Sequence, residues 1–411
     1  MSAVRLALAV LALVAGCRRD AGTSTVVDFW AMGREGEVVE RMLPEFERRH
    51  PGVRVRVQQI PWSAAHEKLL TAYVGGAMPD VFQTGNTWLP ELVALGALEP
   101  LDGRVAARDD FPGIRDTNVI DGRTWGVPWY VDTRVLFYRT DRVPTPPRTW
   151  DEWLAGMTRI EQEVGVAGHA ILLPLREWQT PVILGLQLGA PLLRDGDQWG
   201  DFRAAPFRRA FEFYLALFRG GLAPAAGDTE LANLYQDFAN GFFAFYVTGP
   251  WNLGEFARRL PAAMQDRWTT APWPSPDGGY PGVSLAGGAS LVVHRGSPRK
   301  EAAWSLLAYL AEPATQVEFY RLTGDLPARP SAWSDATLAR DPRTAAFRVQ
   351  LDAVRATPKI PEWERIAGKI AQWTEAAVRG DAGIDDALTA LDRDVDDVLE
   401  KRRWLLAREG A

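Results

Sequence analysis

Seventeen tryptophans stand out among the residues that could do chemistry: they equal the phenylalanines in number and nearly double the nine tyrosines. Tryptophan joins a large flat apolar face to one polar edge, so the excess suits a surface that stacks on something while donating a hydrogen bond. The four histidines (His50, His66, His169, His294) lack metal spacing, and Leu70 stands where a zinc helix beginning at His66-Glu67 would carry its second histidine. Neither a glycine-rich phosphate loop nor a G-x-S-x-G turn occurs. Neither a metal nor a cofactor is therefore expected. A net charge of −6, with Lys and Arg interspersed among Asp and Glu, argues against nucleic acid as a partner.

The single cysteine has a telling position. Residues 1–16 hold one charge, Arg5, then an apolar run from Leu6 to Val14 that is too short to span a bilayer permanently, as in an export signal. Val14-Ala15-Gly16-Cys17 looks like the lipobox of a bacterial lipoprotein, in which cleavage leaves Cys17 to carry acyl chains. The alternative is an ordinary signal peptide with a chance cysteine. Residues 18–25 are polar and small and read as a tether.

The elements that must position the tryptophans alternate in type. With 411 residues, 47% of them hydrophobic, the chain can bury one large core or two ordinary ones. Val26 to Trp30 reads as a strand. A helix follows with Val38, Val39, Met42, Leu43 and Phe46 on one face, kinked at Pro44 and stopped at His50-Pro51-Gly52. Val53, Val55 and Val57 alternate with polar residues as a half-exposed strand. A helix from Ser63 to Val74 and the strand Asp80-Val81-Phe82 repeat the unit, which predicts an α/β layer structure with a largely parallel sheet.

Strands at Trp125–Val127 and Val135–Tyr138 are predicted to bracket Pro128 to Asp132, with a crossing into a second lobe. There Thr149 and Glu152 form a capping box that opens a helix burying Trp150, Trp153, Met157 and Ile160. A strand from Ala170 to Leu175, helices near 179–188 and 206–219, and a strand from Phe242 to Val247 supply its core, and Ala289–Val293 with a helix at Ala302–Leu310 adds one more β–α unit. Repeated crossings imply two lobes with a hinged cleft, a preferred place for ligands.

Several stretches resemble the family 1 extracellular solute-binding proteins of bacterial ABC importers, a carbohydrate-binding group similar to maltose-binding protein. They include Phe46-Glu47 through Val55, Pro79-Asp80-Val81 with Glu91 through Asp102, Gly126 through Asp132, Thr149 through Glu152, Gly249-Pro250-Trp251, and Gly287-Gly288-Ala289 with Leu326-Pro327-Ala328-Arg329. The resemblance implies a periplasmic-binding-protein-like type II fold, two α/β lobes that close on a sugar and dock on a permease. The boundaries it suggests are 1–17 signal and lipobox, 18–25 tether, 26–130 with 284–330 as the N-lobe, and 131–283 with 331–411 as the C-lobe. It also implies polar groups at Arg34 and Glu35, a binding loop around Asn86 and Trp88, a carboxylate at Asp132 beside Tyr130, and second-lobe contacts at Arg176, Trp178, Trp251 and Trp363. Where maltose-binding protein has an acid and a base, this chain has Thr87 and Trp88, so maltodextrin specificity does not carry over.

Sugars offer apolar ring faces to Trp and rim hydroxyls to carboxylates, Arg and Asn. Trp62, Trp88, Trp129, Trp178, Trp251 and Trp363 lie in loops or at element ends and are the candidate stacking platforms. Core packing remains the alternative for Trp62, Trp88, Trp251 and Trp363. Trp30 reads as core, as do the helical Trp150, Trp153, Trp304, Trp373 and Trp404. Arg34, Glu35 and Arg329 either reach the ligand or sit in solvent, and Arg34, Arg176 and Arg329 together leave an anionic sugar open. Gly287 and Gly288 let backbone approach a ligand or merely start a strand.

The chain is thus expected to be a monomeric, exported, lipid-anchored sugar receptor in the periplasm or at the cell surface. It would perform no chemistry and meet the membrane only through its anchor. The competing readings are a secreted glycosidase using Asp132 with Glu177 and a structural surface lipoprotein.

Overall fold

The computed structural model describes residues 24–104, 108–165, 168–226 and 233–409; the expected export signal and lipobox, Cys17 included, and residues 18–23 of the expected tether lie outside them. Two sheets organise the chain. The first has six strands: β1 (Thr25–Met32), β2 (Val53–Ile60), β3 (Val81–Gly85), β4 (Val127–Asp132), β9 (Gly287–Val293) and β10 (Leu326–Pro327), in the order β10-β4-β9-β3-β1-β2. The second has four: β5 (Val135–Arg139), β6 (Ile171–Leu172), β7 (Phe245–Thr248) and β8 (Trp268–Ala271), in the order β8-β5-β7-β6.

Only half of the first sheet matches the parallel expectation. β1 pairs in parallel with β2 and β3, whereas β9 and β10 are antiparallel to their neighbours because the chain re-enters this sheet from the other lobe. The strand expected at Trp125–Val127 instead runs from Val127 to Asp132, through the segment expected to lie between strands. Its pairing shifts at one point, Ala289 facing Tyr130 and Ser290 facing Pro128, which leaves Trp129 as an extra, bulged residue. A proline is tolerated beside such a bulge because one ladder bond is already lost. The helix expected to kink at Pro44 is instead two helices, Gly33–Val39 and Leu43–Arg49, with Pro44 in the first turn of the second.

Side-chain alternation gives each sheet two covered faces. Val27, Phe29, Trp129, Leu291 and Val293 pack on one side of the first sheet, and Met32, Ile60, Phe82 and Val292 on the other. In the second sheet Leu136, Phe245 and Val247 join one cluster, while Phe137, Leu172, Tyr246 and Trp268 join another. That last cluster also contains Val131, Leu326 and Ala286, so the crossings between sheets are packed together. The chain passes from β4 to β5 through Thr133 and Arg134 alone. Half of the expected capping box is formed: Thr149 Oγ1 accepts from the Glu152 N–H at 3.1 Å, while Glu152 Oε2 accepts from the Arg148 N–H at 2.7 Å, one residue before the N-cap.

Candidate ligand-binding site

A cavity of about 570 Å³ lies between the lobes. Its first-lobe wall comes from the C-terminal ends of β1 and β3, where open α/β sheets offer loops and helix starts to ligands. After β1, Arg34 and Glu35 enter the Gly33–Val39 helix. Glu35 is buried, and its Oε1 accepts from the Trp62 indole N–H at 3.1 Å and from the Tyr130 hydroxyl at 2.7 Å. Gln83 Nε2 donates to the Tyr130 oxygen at 2.9 Å, which orients that hydroxyl toward Glu35. After β3 a single 3-10 turn, Asn86–Trp88, holds Trp88 edge-on to Trp62, ring centroids 5.7 Å apart. Ser290 donates to Asn86 Oδ1 at 2.9 Å, leaving Asn86 Nδ2 buried without a protein partner.

The second-lobe wall is built from helix starts: Gln179 on the Gln179–Gln187 helix, Trp251 on the Trp251–Arg259 helix, and Glu364 on the Trp363–Arg379 helix. Trp251 is 38% exposed, with the Arg134 guanidinium 4.5 Å from its ring centroid. Gly249 is required there, since a Cβ would strike the Trp251 ring. Arg134 is itself 92% buried and binds Asp132 at 2.9 Å and Glu177 at 3.3 Å. Gln179 Oε1 is a buried acceptor without a protein partner. At the floor, Gly287 and Gly288 pass so close to β4 that a Cβ on Gly287 would lie 2.6 Å from the Asp132 carbonyl oxygen, and one on Gly288 would meet the Tyr130 carbonyl.

Arg34, Glu35, Trp62, Asn86, Trp88, Tyr130, Asp132, Trp178, Trp251, Gly287 and Gly288 all line this cavity. Four expected residues do not. Trp129 has no exposed surface and stacks on Phe319 at 4.4 Å, turned inward at the bulge. Trp363 is equally buried and lies behind Trp178, which meets it edge-to-face at 5.4 Å. Arg176 points to Glu375 and Arg329 to Asp109. Trp404, expected in the core, is 54% exposed on the last helix with Arg408 over its ring.

Sequence reasoning missed Gln179, Glu255, Arg258, Asp325, Thr357 and Glu364, all of which line the cavity. Gln179 and Glu364 carried a signal, each following a candidate tryptophan, Trp178 or Trp363. The Glu364 carboxyl is pushed up by burial, against hydrogen bonding from Thr87 and Trp88 on the opposite lobe. With Arg176 and Arg329 elsewhere, the carboxylates Glu35, Asp132, Glu255, Asp325 and Glu364 outnumber the cations Arg34, Arg134 and Arg258. The Asp132–Glu177 pair does not suit a glycosidase. One buried guanidinium neutralises both acids, whereas acid catalysis needs a carboxyl kept protonated. No group of residues able to hold a metal occurs among the described residues.

Residues 32–317 match the family model described as bacterial extracellular solute-binding protein. The structure superposes with a TM-score of 0.89 on the sugar-binding protein MalE of the phytopathogen Xanthomonas citri, at 46% identity over 93% of this chain and 99% of that one. Among curated proteins, a putative binding protein of Brucella abortus is 25% identical across 96% of this chain and 97% of its own length. The diacetylchitobiose binding protein DasA of Streptomyces coelicolor is 25% identical across 81% and 80%. These matches and the two-lobed architecture place the chain in the family of bacterial extracellular solute-binding proteins.

Proposed function

We propose that the protein is the receptor of an ABC sugar importer, capturing a neutral carbohydrate between its lobes and delivering it to a membrane permease. One observation carries the reading furthest: indole rings from both lobes, Trp62 and Trp88 opposite Trp178 and Trp251, line one cavity together with carboxylates and amides. Such a mixture stacks on ring faces and accepts from rim hydroxyls. Asn86 Nδ2 and Gln179 Oε1 add an unused donor and an unused acceptor, which a polyhydroxylated ligand satisfies at once. The carboxylate excess favours an uncharged sugar over an anionic one. The sugar-binding description of the Xanthomonas citri protein and the diacetylchitobiose of the Streptomyces coelicolor protein point the same way.

The two lobes are read as 26–130 with 284–330 and 131–283 with 331–411, moving about the crossings near Thr133, Ala286 and the segment after Arg329. Cys17 is read as the acylated anchor because Val14-Ala15-Gly16-Cys17 looks like a lipobox. The folded part is read as a monomer that faces the periplasm or the cell exterior.

The four cavity indoles supply the assay. Titration with maltose, maltotriose and N,N′-diacetylchitobiose should change tryptophan emission saturably for at least one of them; flat emission with every neutral saccharide tried would count against the reading. Cys17→Ser should move the protein from the membrane fraction to the soluble one, and unchanged fractionation would remove the anchor from the account.

A further inference from the structure

Asp325 is a buried cavity carboxylate with no cation paired to it among the described residues. It follows the Pro313–Thr323 helix and Gly324, whose left-handed φ of +93° turns the chain into β10, and its carboxyl lies within electrostatic reach of Glu35 and Arg34 on the Gly33–Val39 helix. The residue is 8% exposed yet lines the cavity. Among the described residues no ion pair reaches it, and none reaches its neighbour Glu35, whereas Asp132 has Arg134 and Glu255 has Arg258.

The groups around Asp325 come from four elements. The Gly33–Val39 helix contributes Glu35 and Arg34, and the Arg34 guanidinium donates to the Leu322 carbonyl at 3.2 Å. β4 contributes Asp132 and Tyr130, whose hydroxyl is committed to Glu35 at 2.7 Å. The Pro313–Thr323 helix before it contributes Thr323, which donates to the Phe319 carbonyl at 2.8 Å and accepts from the Asp325 N–H at 3.0 Å. The Trp251–Arg259 helix, whose Gly254 packs against Gly324, contributes Glu255 and Arg258, which are paired with each other. Two acids, Glu35 and Asp325, therefore share a buried pocket in which Glu35 receives two donors and no cation is close enough to pair with Asp325. Burying an unpaired charge is costly, and a proton is the cheapest way to remove it.

We propose that Asp325 is held as a neutral carboxylic acid and serves as a hydrogen-bond donor to a ligand oxygen, so that sugar affinity has an alkaline limit. This deepens the carbohydrate reading and rests on it. Burial and the nearby Glu35 carboxylate push Asp325 up to about 8, against the opposing pull of Thr323 and Arg34. A protonated acid among acceptors such as Glu35 and Asp132 reads the ligand in the opposite sense from every other carboxylate in the cavity. It requires a ligand oxygen that accepts, such as a ring or glycosidic oxygen, where the remaining acids require hydroxyls that donate.

The test has two readouts on the full-length folded chain. Carboxyl ¹³C NMR of the apo protein from pH 5 to 9.5 should show one resonance titrating near pH 8 that is absent from Asp325→Asn. Calorimetric titration with whichever of maltose, maltotriose and N,N′-diacetylchitobiose changes the tryptophan emission should show wild-type affinity falling roughly thirtyfold between pH 6.5 and 9.5, the loss expected when only the protonated form binds. Asp325→Asn keeps a donor without a titration and should show the same affinity at both pH values, and Asp325→Ala should bind more weakly than Asp325→Asn at both. A spectrum with no carboxyl titrating above pH 6 overturns the protonation. Sugar binding that is independent of pH in the wild type, or equally pH-dependent in Asp325→Asn, overturns the donor role. Absence of binding by maltose, maltotriose and N,N′-diacetylchitobiose alike at either pH, with the carboxyl titrating near 8, counts against the sugar reading and removes the donor role with it, leaving the protonation as measured.

Discussion

Trp251 and Trp363 both open a helix after a proline-bearing turn. What separates them is what covers them. Trp251 lies open on the cleft with Arg134 beneath it, while Trp363 is enclosed by the second-lobe core behind Trp178. Trp251→Ala is therefore expected to cost the apo fold about 1 kcal/mol, the scale of one cation–π contact, while removing most saccharide affinity. Trp363→Ala should leave a cavity and cost about 3–5 kcal/mol. Urea unfolding of the apo variants decides this, and equal losses in the two would remove the distinction. The stacking candidates were legible in sequence because helix starts after strands face the ligand side. Which indoles stay exposed was not, because their cover comes from residues distant in the chain.

At the scale of elements, the floor of the cleft depends on how closely β9 approaches β4. Gly288 has φ +137°, and a Cβ there would meet the Tyr130 carbonyl, so Gly288→Ala should destabilise the apo protein by about 1–3 kcal/mol or more. A Gly288→Ala protein with wild-type stability would mean that the close approach is not required.

The helices Trp62–Val74 and Leu89–Ala94 are joined by His66 and Glu91, 2.7 Å apart, with the His66 ring 5.0 Å from Trp88. Glu91 raises the His66 pKa. A raised histidine pKa stabilises the fold fully below its unfolded value near 6.5 and loses that contribution as pH rises through the folded value. The wild type should therefore gain in melting temperature on His66→Asn as pH falls from 8.5 to 5.5; a constant difference would show that the pair is not coupled to folding. Period-two alternation and the Thr149 capping box made the elements readable. The extent of β4 was not, because the expected strand ended at Val127 and only the bulged pairing with β9 carries it on through Pro128.

At the scale of the molecule, the strand order explains both the cleft and the limits of reading it. The alternation of strands and helices was enough to infer two lobes crossed several times. The charge of the cavity was not legible in the same way. Arg176 and Arg329 suggested an anionic ligand, but each is drawn to an acid outside the cavity, and Asp325, Gln179 and Glu364 reach it only through long-range packing. Contacts from Glu364 to Thr87 and Trp88 join the lobes directly, so a ligand that bridges the same walls should favour the closed arrangement and stabilise the whole fold.

The most direct measurement of the central claim is a melting curve in the presence of single solutes: neutral mono- and oligosaccharides set against uronates and sugar phosphates of matching size. At about one hundred times its Kd, a bound sugar adds roughly 2.7 kcal/mol of stability. The account predicts a rise in melting temperature with at least one neutral saccharide, and none with its anionic counterpart. A rise only with the anionic solutes, or none with any solute at millimolar concentration, would contradict it.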